Sequence, residues 1–261
     1  MSTPRGKYCC WLNRCGSQTG NKSIERETEM STTSIAESLE NLTPDAALDT
    51  LLSTYAGQRA CLTCSFQAED MIVLDLLRKR VPSIPVLFLE TGYHFAQTYG
   101  YRDRIAKEWK LNLVNVAPLQ TVQQQESELG ILYVVNPTQC CQLRKVEPLM
   151  QALEPYEIWF TGLRREQSPT RKNLKKVELH RLPSGKNLLK ASLLADWSWQ
   201  QVWDYTASNG LSYLPQYDQG YLSIGCEPCT KIPTDPNNAR SGRWSGTKLE
   251  CGIHTFSERE L

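Results

Sequence analysis

No run among the 261 residues reaches the roughly 18 consecutive apolar positions that a membrane-spanning helix needs. No apolar signal-peptide core opens the chain either. Neither sign of charge prevails. Lys and Arg number 29 against 28 Asp and Glu, so a net charge of +1 gives no bulk attraction for nucleic acid. Ten cysteines are too dilute for a disulfide scaffold. Internal repeats and low-complexity tracts are absent. These absences leave a cytoplasmic chain in a reducing compartment, with no membrane and no nucleic-acid partner. There, grouped cysteines serve metals or catalysis more often than structural bridges. The 40% apolar content is ample for one large core.

The late cysteines fall into two kinds. Cys140 and Cys141 are adjacent, and Cys226-Glu-Pro-Cys229 forms a second pair. A disulfide between adjacent cysteines is strained, so the quartet reads as metal ligands. Adjacent thiolates suit two irons of one cluster. Zinc is the competitor, since four thiolates satisfy it as well. Cys251 stands apart, in Lys248-Leu-Glu-Cys251-Gly-Ile-His254. Arg240, Arg243, Lys248 and His254 surround it in sequence, and cations make a thiolate nucleophile.

Residues 1–30 hold Cys9, Cys10 and Cys15 but little hydrophobic periodicity, and read as a disordered or artefactual leader. Residues 31–261 read as one domain, with 240–261 as a mobile segment carrying Cys251. Strands are expected at Ala60–Cys64, Pro85–Leu89, 111–116 and 157–161. Helices are expected over Pro44–Tyr55, Met71–Arg80, 95–109, 121–129, 142–153 and 197–208. This alternation predicts an α/β fold, a parallel twisted sheet with helices on both faces. Ser65–Asp70, Glu90–Tyr93 and Gly162–Arg171 then lie at strand carboxyl ends, where such sheets bind ligands. Ser65-Phe-Gln-Ala-Glu-Asp70 has no glycine and is neither a Walker loop nor a G-x-G-x-x-G turn. Arg164 and Arg171 stand in an arginine-bearing loop suited to sulfate or phosphate oxygens. Beyond Arg171 the pattern breaks, and Lys172, Lys175 and Lys176 read as a solvated basic face.

Taken together, Ser65–Asp70, Leu89-Glu-Thr-Gly92, Cys140-Cys-Gln-Leu-Arg-Lys145, Gly162–Arg171, Tyr217–Thr230, Gly242-Arg-Trp244 and Glu250-Cys-Gly-Ile-His254 resemble a known family. It is that of the assimilatory adenylyl-sulfate (APS) reductases, in the phosphoadenylyl-sulfate (PAPS) reductase group. The likeness spans residues 44–256. Relatives often carry Asp where this chain has Glu90, and Leu where it has Ile253. The resemblance implies an adenine nucleotide α-hydrolase-like fold of PP-loop type. It implies a [4Fe–4S] cluster on Cys140, Cys141, Cys226 and Cys229. Cys251 would be the nucleophile, with Lys145 and His254 assisting. Ser65, Phe66, Glu90, Thr91, Gly92, Arg164, Arg171, Arg240 and Arg243 would meet the substrate. The implied activity is reduction of APS to sulfite and AMP in sulfate assimilation and cysteine biosynthesis. It runs through an S-sulfocysteine, with thioredoxin or glutaredoxin as reductant. All four cluster cysteines favour APS; PAPS or dual use is the alternative, and a homo-oligomer is left open. An ATP pyrophosphatase would need a Ser-Gly-Gly-x-Asp-Ser loop. A metal-stabilised binding module would not need Cys251.

Overall fold

The computed structural model describes residues 36–235 and 238–254, so the expected leader over 1–30 lies outside the described residues. Helix α1 (Pro44–Thr54) starts where the Thr43 hydroxyl accepts the Ala46 N–H and Pro44 fixes the first turn. Strand β1 (Ala60–Thr63) leads into α2 (Ala68–Arg78). Then come β2 (Pro85–Leu89), α3 (Ala96–Glu108), β3 (Asn112–Val116) and α4 (Val122–Leu129). Short helices α5 (Leu132–Val135) and α6 (Pro137–Cys141) precede a π turn (Gln142–Val146) and α7 (Glu147–Leu153). Strands β4 (Ile158–Phe160), β5 (Val177–Arg181) and β6 (Asn187–Ala191) complete the sheet, followed by α8 (Trp199–Ser208). Among the described residues no helix is long and apolar enough to cross a membrane.

The strand order is β3-β2-β1-β4-β6-β5, parallel throughout except for β5 against β6. Successive side chains of a strand point to opposite faces. Ile158 and Phe160 therefore join Leu62, Val86 and Phe88 in one core, beneath α1, α2, α3 and α8. Trp159 joins Cys61 and Leu87 in the other, beneath α7. The same alternation divides Cys61 from Cys64, which enter opposite cores. Burial pushes both thiols up, so this C-x-x-C is no redox pair.

Three features depart from expectation. The β5–β6 hairpin breaks the all-parallel pattern. Its turn closes with the Leu182 N–H donating to Lys186 at 2.8 Å, and Gly185 takes a positive φ of 88°. Lys176 is not on a solvated face. It is fully buried, and its ammonium donates to Glu40 O, Leu42 O and Asp196 at 3.0, 2.6 and 3.0 Å. Lys172 and Lys175 are exposed, as expected. The helix expected over 142–153 begins earlier, at Pro137, and widens through the π turn. Because β1 lies between β2 and β4, the chain leaves the sheet on both sides of β1. A crevice opens at their carboxyl ends.

Candidate active site

At the end of β1 the chain turns through Phe66, which takes a positive φ of 61° and buries its ring against Phe88 and Tyr101. This turn aims Ser65 back at α2. Asp70 accepts the Ser65 N–H and the Ser65 hydroxyl, both at 2.6 Å, and the Gly162 N–H as well. A Cβ on Gly162 would lie 2.3 Å from the Asp70 carboxylate, so glycine is required there. Burial pushes the Asp70 pKa up to about 6 against the pull of these donors. The folded state thus holds this proton more tightly than the unfolded chain, and stability is lost as pH rises from about 4 through about 6. Asp70→Asn, which cannot ionise, is expected to gain about 2 kcal/mol on wild type across that window in denaturant unfolding. Parallel profiles would refute the buried charge.

The next carboxylate, Glu69, is sealed against Arg164. The guanidinium donates to it at 2.9 and 3.1 Å, and Gln167 adds a bond at 2.9 Å. Arg164 spends its remaining reach on Glu166 and Trp197 O, both at 3.1 Å. It borders the crevice as a strut between the two loops.

The crevice is a cavity of about 490 Å³, within the range of small-molecule sites. Ser65, Thr91, Lys145, Arg164, Arg171, Arg240, Arg243, Cys251 and His254 all border it. Phe66, Glu90 and Gly92, expected at the substrate, do not. Phe66 is a core plug. Glu90 staples its own loop, accepting from Gly92 N–H at 2.8 Å, the Tyr99 hydroxyl and Arg102. Gly92 packs against Val122 and Arg144.

A second, small cavity adjoins the first. Cys140, Cys141, Cys226 and Cys229 all border it, with Tyr93, Arg144, Thr91 and Lys145. Thr91 and Lys145 face both cavities. Among the described residues no three Cys, His, Asp or Glu side chains gather as a single-ion site. Burial would lower the Lys145 pKa, but Cys226, Cys141 and Cys251 outweigh it, and the ammonium stays charged. Burial would likewise raise Cys226; Lys145, the Thr91 hydroxyl and Arg243 hold it down instead. Arg144 was not foreseen. It is buried and donates to Thr91 O at 2.6 Å and Gln125 at 3.1 Å, fixing the loop between the cavities.

The described C-terminal residues close over the larger cavity. Trp244 is the hub, with Arg243, Lys248 and Arg240 at 4.6, 5.0 and 5.6 Å from its ring. Arg243 also donates to Cys229 O at 3.3 Å, and its guanidinium fills the space where a Gly225 side chain would start. Burial, then the charge of Arg171, pulls the Arg240 pKa down to about 10, still cationic at neutral pH. Glu250, another residue not foreseen, pairs with Arg171 at 2.7 Å. Cys251 is half-buried at the cavity wall. His254 stacks on Trp159 with centroids 5.4 Å apart. Burial, with Lys190 and Arg171 nearby, pushes its pKa well down. These surroundings favour the neutral ring over the cation expected of His254.

Comparison with known proteins agrees with this geometry. A family model for the phosphoadenosine phosphosulfate reductase domain matches residues 59–232. The phosphoadenosine 5′-phosphosulfate reductase of Gloeobacter violaceus is 42% identical, covering 84% of this chain and 92% of that protein. The adenosine 5′-phosphosulfate reductase of Mycobacterium tuberculosis is 42% identical, covering 76% and 80%. That of Geobacillus kaustophilus is 40% identical, covering 80% and 89%. Among solved structures, the PAPS reductase of Candida auris in its phosphate complex superposes with a TM-score of 0.65 at 24% identity, covering 77% of this chain and 96% of that one. At that identity the likeness carries the fold alone, a mostly parallel sheet of PP-loop type. The chain belongs to the phosphoadenosine phosphosulfate reductase domain family, among reductases of adenylyl sulfate and its 3′-phosphorylated form.

Proposed function

We propose that the chain reduces adenylyl sulfate to sulfite and AMP in the cytoplasm, with Cys251 as nucleophile and thioredoxin, or a glutaredoxin, as electron donor. This would serve sulfate assimilation and cysteine biosynthesis. The carrying observation is the shared cavity: Cys251 borders the same space as Lys145, Arg171, Arg240 and Arg243.

The Cys251 thiolate forms a bond to the sulfur of APS, and the bond from that sulfur to the phosphate oxygen breaks. AMP leaves with the electron pair, and Cys251 carries an S-sulfonate. A thiolate of the donor then attacks the Cys251 sulfur, and sulfite leaves with the pair. The donor's second thiol resolves the mixed disulfide and returns Cys251. The donor dithiol is oxidised, and the sulfate sulfur is reduced.

Sulfate and phosphate are both anionic, so an approaching thiolate meets repulsion. Lys145, Arg240 and Arg243 are preorganised to offset it and to stabilise charge developing on the departing phosphate. With its neutral ring favoured, His254 shares little of that load. Its stacking on Trp159 fixes the end of the segment instead.

Cys140, Cys141, Cys226 and Cys229 would hold a [4Fe–4S] cluster. They border one cavity, and adjacent thiolates such as Cys140 and Cys141 suit separate irons of a cluster better than one zinc. Bound there, the cluster would supply negative charge near Lys145 and would not serve as the electron donor. The complete quartet favours APS. Relatives bear both substrate names, so PAPS is the second reading.

One anaerobic preparation tests both assignments. With APS and no dithiol, the peptide bearing Cys251 is expected to gain one sulfonate while AMP is released. No adduct, or an adduct on another cysteine, overturns the mechanism. The same preparation is expected to contain iron and absorb broadly near about 400 nm. Stoichiometric zinc would sink the cluster. A higher kcat/KM for PAPS than for APS would reverse the substrate order.

A further inference from the structure

Glu250 directly precedes the nucleophile, and its side chain is only 9% exposed. One carboxylate oxygen accepts from Arg171 Nε at 2.8 Å and from the Thr170 hydroxyl at 2.9 Å. The other accepts from Arg171 Nη2 at 2.7 Å. This is the two-pronged arginine–carboxylate geometry, the strongest and most directional of ion pairs. The third nitrogen of Arg171 donates to Gln167, so each nitrogen of the guanidinium is engaged within the protein. On the other side, Arg240 donates to Leu249 O at 2.8 Å.

These contacts recast Arg171. Sequence alone makes it a substrate cation; its engagement makes it the anchor for the residue beside Cys251. The remaining ties of the segment are farther along or weaker. Lys248 reaches Pro137 O at 3.5 Å, and His254 stacks three residues downstream. The backbone at 249–250 is thus pinned from two sides next to the nucleophile.

We infer that Glu250 is a positioning residue, whose clamp on Arg171 seats Cys251 at the cavity wall for attack on sulfur. The inference rests on the function proposed above. Attack needs the thiolate aligned within the cavity, where small misplacements cost large factors in rate. The second step needs the opposite, because a protein dithiol must reach the same sulfur from outside. A clamp therefore speeds the first step and does nothing for the second.

The test is Glu250→Gln, which keeps the shape and removes the charge. In single turnover without dithiol, Cys251 sulfonation is expected to slow at least about tenfold. AMP affinity is expected to stay within about twofold of wild type. Sulfite release from the pre-formed S-sulfonate by thioredoxin is expected to be no slower. Alkylation of Cys251 by iodoacetamide without substrate, compared at the high-pH plateau where the thiol is fully ionised in both proteins, should speed up as the segment loosens. Glu250→Asp, which retains the charge, should recover part of the sulfonation rate. Sulfonation at the wild-type rate overturns the clamp, as does an equal slowing of both steps, the mark of a general structural defect. If wild type gains no sulfonate at all, the proposed function fails. The alkylation rates then still report whether Glu250 holds Cys251 in place.

Discussion

Cys251→Ser is expected to abolish sulfite release, with a loss of at least about 10⁴-fold in kcat, the scale seen when a covalent nucleophile is removed. A hydroxyl at this position ionises far less readily than a thiol, and the adjacent Glu250 carboxylate is taken up by Arg171 and Thr170 rather than free to activate it. His254 is a poor base for that purpose, since its ring is stacked on Trp159 and burial with nearby cations pushes its pKa well down. The cavity offers one other thiol, Cys64, but burial and the Asp70 charge push its pKa well above the ordinary value. Cys64 therefore cannot take over. Cys251 is only half-buried, so its replacement leaves the core intact. The variant should bind AMP like wild type and show no sulfonate adduct. Wild-type turnover would sink the assignment.

The second large effect is on stability. Arg164→Ala is expected to cost about 3–5 kcal/mol, because it leaves the Glu69 charge buried without a partner. Arg164 and Glu69 are each less than a tenth exposed, and Gln167 alone remains to satisfy the carboxylate. Replacing both, as Glu69→Gln with Arg164→Met, removes the stranded charge and should recover much of the loss in denaturant unfolding. A substrate cation would behave differently. Its loss would raise KM with stability unchanged, and that outcome would overturn the strut role.

Arg164 and Arg171 show where reading the sequence runs out. An arginine at a strand end looks ready for an anion, yet its partner carboxylate is invisible along the chain. Glu69 lies 95 residues from Arg164, and Glu250 lies 79 from Arg171. The grouping of the late cysteines was legible for the opposite reason, because their spacing is local: the two pairs border one cavity and Cys251 the other. The central strands were legible too. Pro85–Leu89 and Ile158–Phe160 are short apolar runs bounded by polar turns, as strands buried on both faces must be. The β5–β6 hairpin was hidden by its charges. Lys176 just before it read as solvent-facing, yet its ammonium is buried on Asp196, and Lys190 within the hairpin is likewise buried on Glu178. Lysine's long stem lets an apolar setting carry a charged tip.

Lys145 and Thr91 stand in the walls of both cavities, and of the two only Lys145 carries a charge. Cys226, Cys141 and Cys251 outweigh its burial and hold its ammonium charged. A descendant of this chain that lost the cysteine quartet would inherit a stranded cation on the substrate side. It would have to recruit a new anion, surrender the lysine, or open the wall to water. The quartet and the lysine are therefore expected to be inherited, or discarded, as one unit.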